Sequence, residues 1–322
     1  MLMGSTDNHN ISIALATYNG AKYLREQLDS LYGQSIVPAE VVVCDDQSTD
    51  ATVDILEEYH QRYGLTYYVN TKHLGYNLNF YQAISLCTGE YIALSDQDDV
   101  WMSDKLAKSL NAIQQMGDVP CMVTSQAIDM DGQGRVLSEQ HKIMSYKRSI
   151  DTMLYDGINQ GCTIMMNRWL ADQVLKHTEL HHLYYYDVVI SILALSWGCK
   201  ISLSDRTMYY RHHSDNVVGV LHRPKLSFRE RVTTRPTYHH LCADSRLEAL
   251  NAIYHSISED IKDEEINRIF LCSEQLRTAP TLLYGLKRLY YMPGLTIKEW
   301  TDICIYSMAN GLLRKLINNK II

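Results

Sequence analysis

"EYIALSDQDDVWM", Glu90 to Met102, runs an apolar, β-prone segment straight into three carboxylates, Asp96, Asp98 and Asp99, with Trp101 just behind them. Acids this close repel one another, so the turn needs a positive partner. A buried run ending abruptly in polar residues is how a strand looks where it leaves an open α/β sheet. Ligands bind such sheets beyond the carboxyl ends of the strands.

Working outward, the flanking sequence alternates strand and helix patterns. "ISIALATY" (11–18) reads as a buried strand, and Leu24, Leu28 and Leu31 mark one face of the helix after it. "VVVC" (41–44) is a second strand; "DDQSTD" (45–50) then supplies N-caps for a helix through Ile55 and Leu56. "LTYYVNT" (65–71) is a third strand, "NLNFYQAISLC" (77–87) a helix and "EYIALS" (90–95) a fourth strand. "SDKLAKSLNAIQQM" (103–116) predicts another helix, capped by Ser103 or Asp104. Strands separated by single helices imply a mostly parallel sheet with helices on both faces. "ATYNG" (16–20), "DDQSTD" and "DQDD" (96–99) all fall at strand ends. Singly, each is ordinary turn chemistry; three on one rim point to one site.

After residue 120 the rhythm changes. "CMVTSQAIDMDGQGRVL" (121–137) predicts a hairpin turning at "DGQG", and a helix runs from Asp187 to Trp197, ending at Gly198. "KISLSD" and "MYYRHH" predict two short strands, and helices punctuated by Pro236, Pro280 and Pro293 follow Pro224. The expected organisation is a catalytic domain over 1–222 and a helical extension over 223–322.

Composition narrows the class. The chain has 322 residues, 46% hydrophobic and 21% charged, which suits a folded, core-bearing protein. Eight scattered cysteines without a CxxC pair argue against a zinc ribbon or disulfide framework and suit a reducing cytoplasm. The polar N-terminus carries no signal peptide, and no apolar run reaches the ~20 residues that span a bilayer; the expectation is a soluble or peripheral protein. Residues 220–322 hold 15 Lys/Arg against 11 Asp/Glu, so the overall charge of −7 leaves −11 on residues 1–219. An acidic body disfavours nucleic acid, whose binding depends on neutralising phosphates. In the basic tail Ile305, Ala309, Leu312 and Leu316 form one helical stripe. It fits either a membrane interface on the cytoplasmic side or a helix-covering or dimer contact.

Asp96 and Asp98 flank Gln97, and in extended backbone both project to one side. Hard cations such as Mg²⁺ or Mn²⁺ take one or two carboxylates together with substrate phosphates. A solvated acidic loop, with Asp99 or Ser103 capping the next helix, is the bland alternative. His177, His181, His182 and Asp187 resemble a zinc set in composition, but the glutamate of an HExxH motif is missing.

"ISIALATYNGAKYLREQLDSLYGQS", "VVVCDDQSTDATVDIL", "NLNFYQAISLCTGEYIALSDQDDVW" and "YYYDVVISILALSWG…YRHHSDNVVG" together resemble family 2 glycosyltransferases of bacterial polysaccharide assembly, the rhamnosyltransferase-type members most of all. The matches run in order over residues 11–220. The resemblance implies a GT-A fold and inverting transfer from a nucleotide-diphospho-sugar, dTDP-L-rhamnose or a UDP-sugar, to a lipid-linked oligosaccharide. It implies that Ala16, Thr17 and Tyr18, with Asn19, line the base pocket and that Asp46 or Asp45 hydrogen-bonds the base. Asn77 and Asn79 would face the nucleotide or sugar, and Asp96, beside Gln97, the ribose. Asp98 and Asp99 would hold the metal, His213 would reach the metal or diphosphate, and Arg211 would offset phosphate charge. Asn216 would fix that loop. Asp187 would be the general base, although Tyr186 precedes it where relatives carry Glu or His; a helix cap is the alternative role. Trp101 would pack under a sugar, and Tyr184 to Tyr186 would stack on the acceptor. A nucleotidyltransferase needs a basic Gly-rich loop, of which Gly20 and Lys22 are a poor version; an inactive carbohydrate-binding protein is the non-enzyme alternative.

Overall fold

The computed structural model describes residues 10–138, 160–182, 185–197, 199–214, 216, 252, 255 and 256. The chain divides into two compact units. Met1–Tyr146, Asn159–Ala194 and Gly198–Leu221 form the first; Lys147–Ile158, Leu195–Trp197 and His222–Ile322 form the second. The sheet and site below belong to the first. Of the expected tail helices only residues 252, 255 and 256 are described, all helical; the membrane or dimer contact and Tyr184 lie outside the described residues.

The alternation of patterns folds as expected over the first hundred residues. β1 (Ile11–Thr17), β2 (Glu40–Asp45), β3 (Thr66–Val69) and β4 (Tyr91–Ser95) are parallel in the order β3-β2-β1-β4. α1 (Leu24–Tyr32), α2 (Thr52–Tyr63) and α3 (Tyr76–Leu86) connect them. Alternate strand residues face opposite sides. Ile11, Ile13, Leu15, Val41 and Val43 share one buried cluster with Leu24, Leu28 and Leu31 of α1 and Ile55, Leu56 and Tyr59 of α2. Leu106, Leu110 and Ile113 of α4 (Lys105–Gln114) complete it. α3 packs on β1 and β2, while its buried Phe80, Ala83 and Ile84 stay outside that cluster, as a helix on the opposite face must.

Beyond residue 100 the sheet becomes mixed. β5 (Val100–Trp101) follows the acidic turn. β6 (Cys121–Asp131) and β7 (Val136–Ser138) make the expected hairpin. A 3-10 turn (Gly161–Thr163), β8 (Met165–Asn167), α5 (Arg168–Lys176), α6 (Tyr186–Trp197) and β9 (Cys199–His212) come after. β8 pairs antiparallel with β4 and β6, and β9 runs parallel to β6 and antiparallel to β5. The two short strands expected at 200–205 and 208–213 are therefore one. The expected break is a bulge: Thr124 pairs Ser202 while Gln126 pairs Arg206.

That bulge has a geometric purpose. β4 and β5 stand four places apart in the strand order, about 19 Å in a flat sheet at ~4.8 Å per strand. Five chain steps from Ser95 to Val100 reach at most about 18 Å. The β6–β9 ribbon has to curl, and a bulge bends and twists a strand locally. The acidic turn is thereby held between β4 and β5, which pairs with β9.

Asp104 stands at the N-cap of α4 without a side-chain cap bond, and instead pairs with Lys108 at 2.9 Å. Leu28→Ala, at a fully buried site in the α1 layer, is expected to cost about 3 kcal/mol. A urea titration should show a lower midpoint with an unchanged slope; an unchanged midpoint would contradict this core assignment.

Candidate active site on the strand rim

The three polar clusters meet at the carboxyl ends of β1, β2 and β4, joined by hydrogen bonds that fix their relative position. Gln97 is the central tie. Its Oε1 accepts from Thr17 Oγ1 at 2.6 Å and from the Tyr18 amide at 2.9 Å, and its Nε2 donates to the Tyr18 carbonyl at 3.1 Å. Gly20 makes room for it: a Cβ there would stand 2.2 Å from Gln97 Oε1. Asn19, at φ 48°, donates its amide to Ser48 Oγ at 2.7 Å and accepts from the Thr49 amide at 2.8 Å. Asp50 caps α2 by accepting from the Thr52 amide at 3.0 Å and also takes the Ala21 amide at 3.1 Å.

This wiring reassigns several residues expected to touch a nucleotide. Asp45 is buried and accepts from the amide and hydroxyl of Ser48. Asp46, 1% exposed, accepts at Oδ1 from Asn70 Nδ2 (2.9 Å) and the Leu74 amide (2.7 Å). At Oδ2 it accepts from the Gly75 amide (2.8 Å) and meets His73 Nδ1 (3.0 Å). Three donors hold the Asp46 carboxylate, and His73 Nδ1 also lies 3.2 Å from its backbone carbonyl, so Asp46 organises the loop between β3 and α3. Asn79 is buried too, donating to the Cys44 carbonyl at 2.8 Å and accepting from Asn70 at 2.9 Å. Asn77 spends its amide on the His181 carbonyl and the Tyr186 amide. Ala16 and Thr17 are buried in β1 beside β2. Tyr18 does face outward, 47% exposed, its ring 4.8 Å from His73.

The acidic turn carries its own cations. Arg211 donates its backbone amide to Asp99 Oδ1 at 3.1 Å and its Nε to the Asp98 carbonyl at 2.7 Å, and pairs with Glu26. Its side chain is 2% exposed, so it braces the turn from the protein side by these contacts. Lys105 is likewise buried, its ammonium 4.7 Å above the Trp101 ring. Burial pulls Lys105 down to about 8, against the opposing influence of Cys162 and Asp99. Trp101 itself is 3% exposed inside the core cluster. It is a packing residue, not a sugar platform.

The expected metal set, Asp98, Asp99 and His213, is divided. His213 Nε2 lies 2.7 Å from Asp98 Oδ2, while Asp99 turns inward beside Asp96 and Cys162, the ligand atoms of these three all within 4.8 Å. Loss of solvation, then the charge of Asp98, pushes the Asp96 carboxyl up to about 7, and Asp187 adds to the rise. The same two causes push Asp99 well up, and its Oδ2 is buried without a hydrogen-bond partner. Burial also raises the Cys162 thiol well up, so it stays protonated. Asn216 fixes the His213 loop, accepting from the His213 amide at 2.6 Å and donating to the Arg211 carbonyl at 3.0 Å. His212 instead pairs with Asp129 at 2.7 Å. His181 faces the Val174 carbonyl and His177 faces Glu179. Neither belongs to a metal-capable cluster among the described residues.

Asp187 lies in the first turn of α6, half-buried, its Oδ1 accepting from the Val188 amide at 2.8 Å. Sequence reasoning missed Glu26, His73, Lys105, Gly161 and Cys162. None sits in a polar cluster, and only tertiary contact gives them a place in the site.

Against protein families, residues 12–176 match the model "Glycosyl transferase family 2". The chain belongs to glycosyl transferase family 2. The dTDP-rhamnosyl transferase RfbG of Shigella flexneri is 38% identical over 221 residues, 64% of this chain and 73% of that protein. An uncharacterized protein of Mycobacterium tuberculosis is 28% identical over 223 residues, and this chain spans 60% of its length. S. aureus TarS (1–349), solved with UDP-GlcNAc, superposes with a TM-score of 0.55 at 19% identity, covering 95% of this chain and 92% of that one. That likeness shows the fold, and family 2 members of this architecture have the GT-A fold, a mixed sheet flanked by helices.

The raised Asp96 pKa gives a signed prediction. The folded protein keeps this proton up to about 7, whereas the free carboxyl loses it near 3.8. The stability it contributes is complete below the lower value and is lost as pH rises through the upper one. Asp96→Asn, which cannot ionise, should therefore gain Tm over wild type progressively from about pH 4 to pH 7 in EDTA and level off above that. A difference that does not change with pH would refute the assignment.

Proposed function

We propose that this family 2 member is a metal-dependent inverting glycosyltransferase that moves a sugar from a nucleotide-diphospho-sugar to a hydroxyl of a cell-surface polysaccharide precursor. The observation that carries it is the crowding of Asp96, Asp98 and Asp99 on the rim, with Asp187 near enough to help raise the Asp96 carboxyl. Carboxyls pushed up by burial and then by one another take a divalent cation readily, because its charge stabilises the ionised form that burial and repulsion oppose. The donor set fits Mg²⁺ or Mn²⁺: carboxylate oxygens with one imidazole, and an orphaned buried oxygen on Asp99. Asp96 and Asp98, half-buried at the rim, would hold the ion, with His213 beside Asp98 and Asp99 behind. When bound, such an ion neutralises charge on a departing diphosphate.

The chain's own residues do the rest. Tyr18 offers an exposed ring for a base, on a backbone fixed by Gln97. Asp187 accepts the proton of the acceptor hydroxyl as its oxygen attacks the anomeric carbon. The bond to the diphosphate breaks on the opposite face, and its electron pair leaves with the nucleoside diphosphate. The 38% identity to a dTDP-rhamnosyl transferase favours dTDP-L-rhamnose as donor. A lipid-linked acceptor at the cytoplasmic membrane face suits the basic tail.

A thermal-shift screen of dTDP-, UDP- and GDP-sugars with and without Mn²⁺ should give the largest rise for dTDP-L-rhamnose with the ion; a larger UDP-hexose shift replaces the donor. Asp98→Ala should abolish release of nucleoside diphosphate with the fold intact by circular dichroism. Asp187→Asn should cut turnover by about 10²–10⁴ while keeping nucleotide affinity. Near-normal turnover in either variant removes the role assigned to that residue.

A further inference from the structure

We propose that Asn77 is the positioning residue for Asp187, and that α3 serves the acceptor side of the site rather than the nucleotide. The proposal rests on the reading of Asp187 as the base. Asn77 Oδ1 accepts the Tyr186 backbone N–H at 2.6 Å, and its Nδ2 donates to the His181 carbonyl at 2.9 Å. The first N–H groups of a helix have no partner within it. Here one of them, on the residue just before Asp187, is satisfied from another helix more than a hundred residues away in sequence.

Tyr186 is fixed at two further points. Its ring stacks on Phe80 with centroids 4.1 Å apart, and its phenol fills the space a side chain at Gly161 would need, a Cβ there falling 1.8 Å from the oxygen. One turn away Tyr81 stacks on His181 at 3.6 Å and 8°. Positions 77, 80 and 81 lie on one face of α3, and together they grip both ends of the 181–186 segment. Asp187 follows directly, so a tilt of the α6 start moves its carboxylate relative to Asp96. A misplacement of about 1 Å can cost about a hundredfold in rate. Asn77 acts through that geometry and need not touch substrate.

A double-mutant cycle tests this. Its readout is nucleoside diphosphate release with Mn²⁺ from whichever donor, dTDP-L-rhamnose or a UDP-hexose, gives the larger thermal shift. Asn77→Ala should lower kcat about ten- to a hundredfold, leaving donor KM and nucleoside diphosphate affinity within about twofold. In the Asp187→Asn background the same change should add less than about twofold, because residues acting as one unit are not additive. An equal loss in both backgrounds, or a raised donor KM at unchanged kcat, overturns the proposal; the second result would return Asn77 to the nucleotide. Normal turnover by Asp187→Asn would remove the base reading, and this proposal with it. Asn77→Ser carries the same expectations should the alanine variant not fold.

Discussion

Three carboxylates at the end of one buried strand are an electrostatic problem that this fold has to solve before it can use them. Part of the solution is internal. Arg211 grips the turn by its backbone amide and its Nε, and Asp99 acts on the buried Lys105, opposing the fall that burial imposes on that ammonium. The remainder is left unrelieved: Asp96 and Asp99 have carboxyls pushed upward, and one Asp99 oxygen has no partner. Carboxyls held protonated by burial and crowding at a strand end are costly to ionise in the empty protein and useful to a protein that must take up a cation. Arg211 holds the turn's shape through the Asp99 carboxylate and the Asp98 carbonyl.

The same economy governs the rim. Polar residues at strand ends can meet a ligand or each other. Here Gln97, Asn19, Asp45, Asp46 and Asn79 meet each other or the backbone. Loops on a sheet edge have amides that no ladder satisfies, and buried amides must find partners. Spending side chains on them gives a rigid rim on which Tyr18 and the acidic turn are held in place. Rigidity of this kind is what lets a few outward groups keep productive spacing.

Much of this architecture was legible from the chain alone. Leu24, Leu28 and Leu31 declared the inner face of α1 because helical period leaves few alternatives, and the runs at 11–18, 41–44 and 90–95 declared parallel strands because they lack polar faces. The curled ribbon was less visible. β5 has two residues, too short for any periodicity, and the bulge in β9 looked like a break between two strands. The placement of Asp187 depends on Asn77, Phe80 and Gly161, which no local pattern connects.

Residue type and spacing settled the α/β layering, the rim and the acids upon it, because periodicity and charge are local properties that survive without a partner. Which polar group faces outward was decided only by the folded chain. Asp46 and Tyr18 stand at equivalent strand ends, yet one is held by three donors and the other is open. A side chain's hydrogen-bonding capacity is written in its chemistry, but whether that capacity is already filled depends on groups brought near it from elsewhere in the sequence.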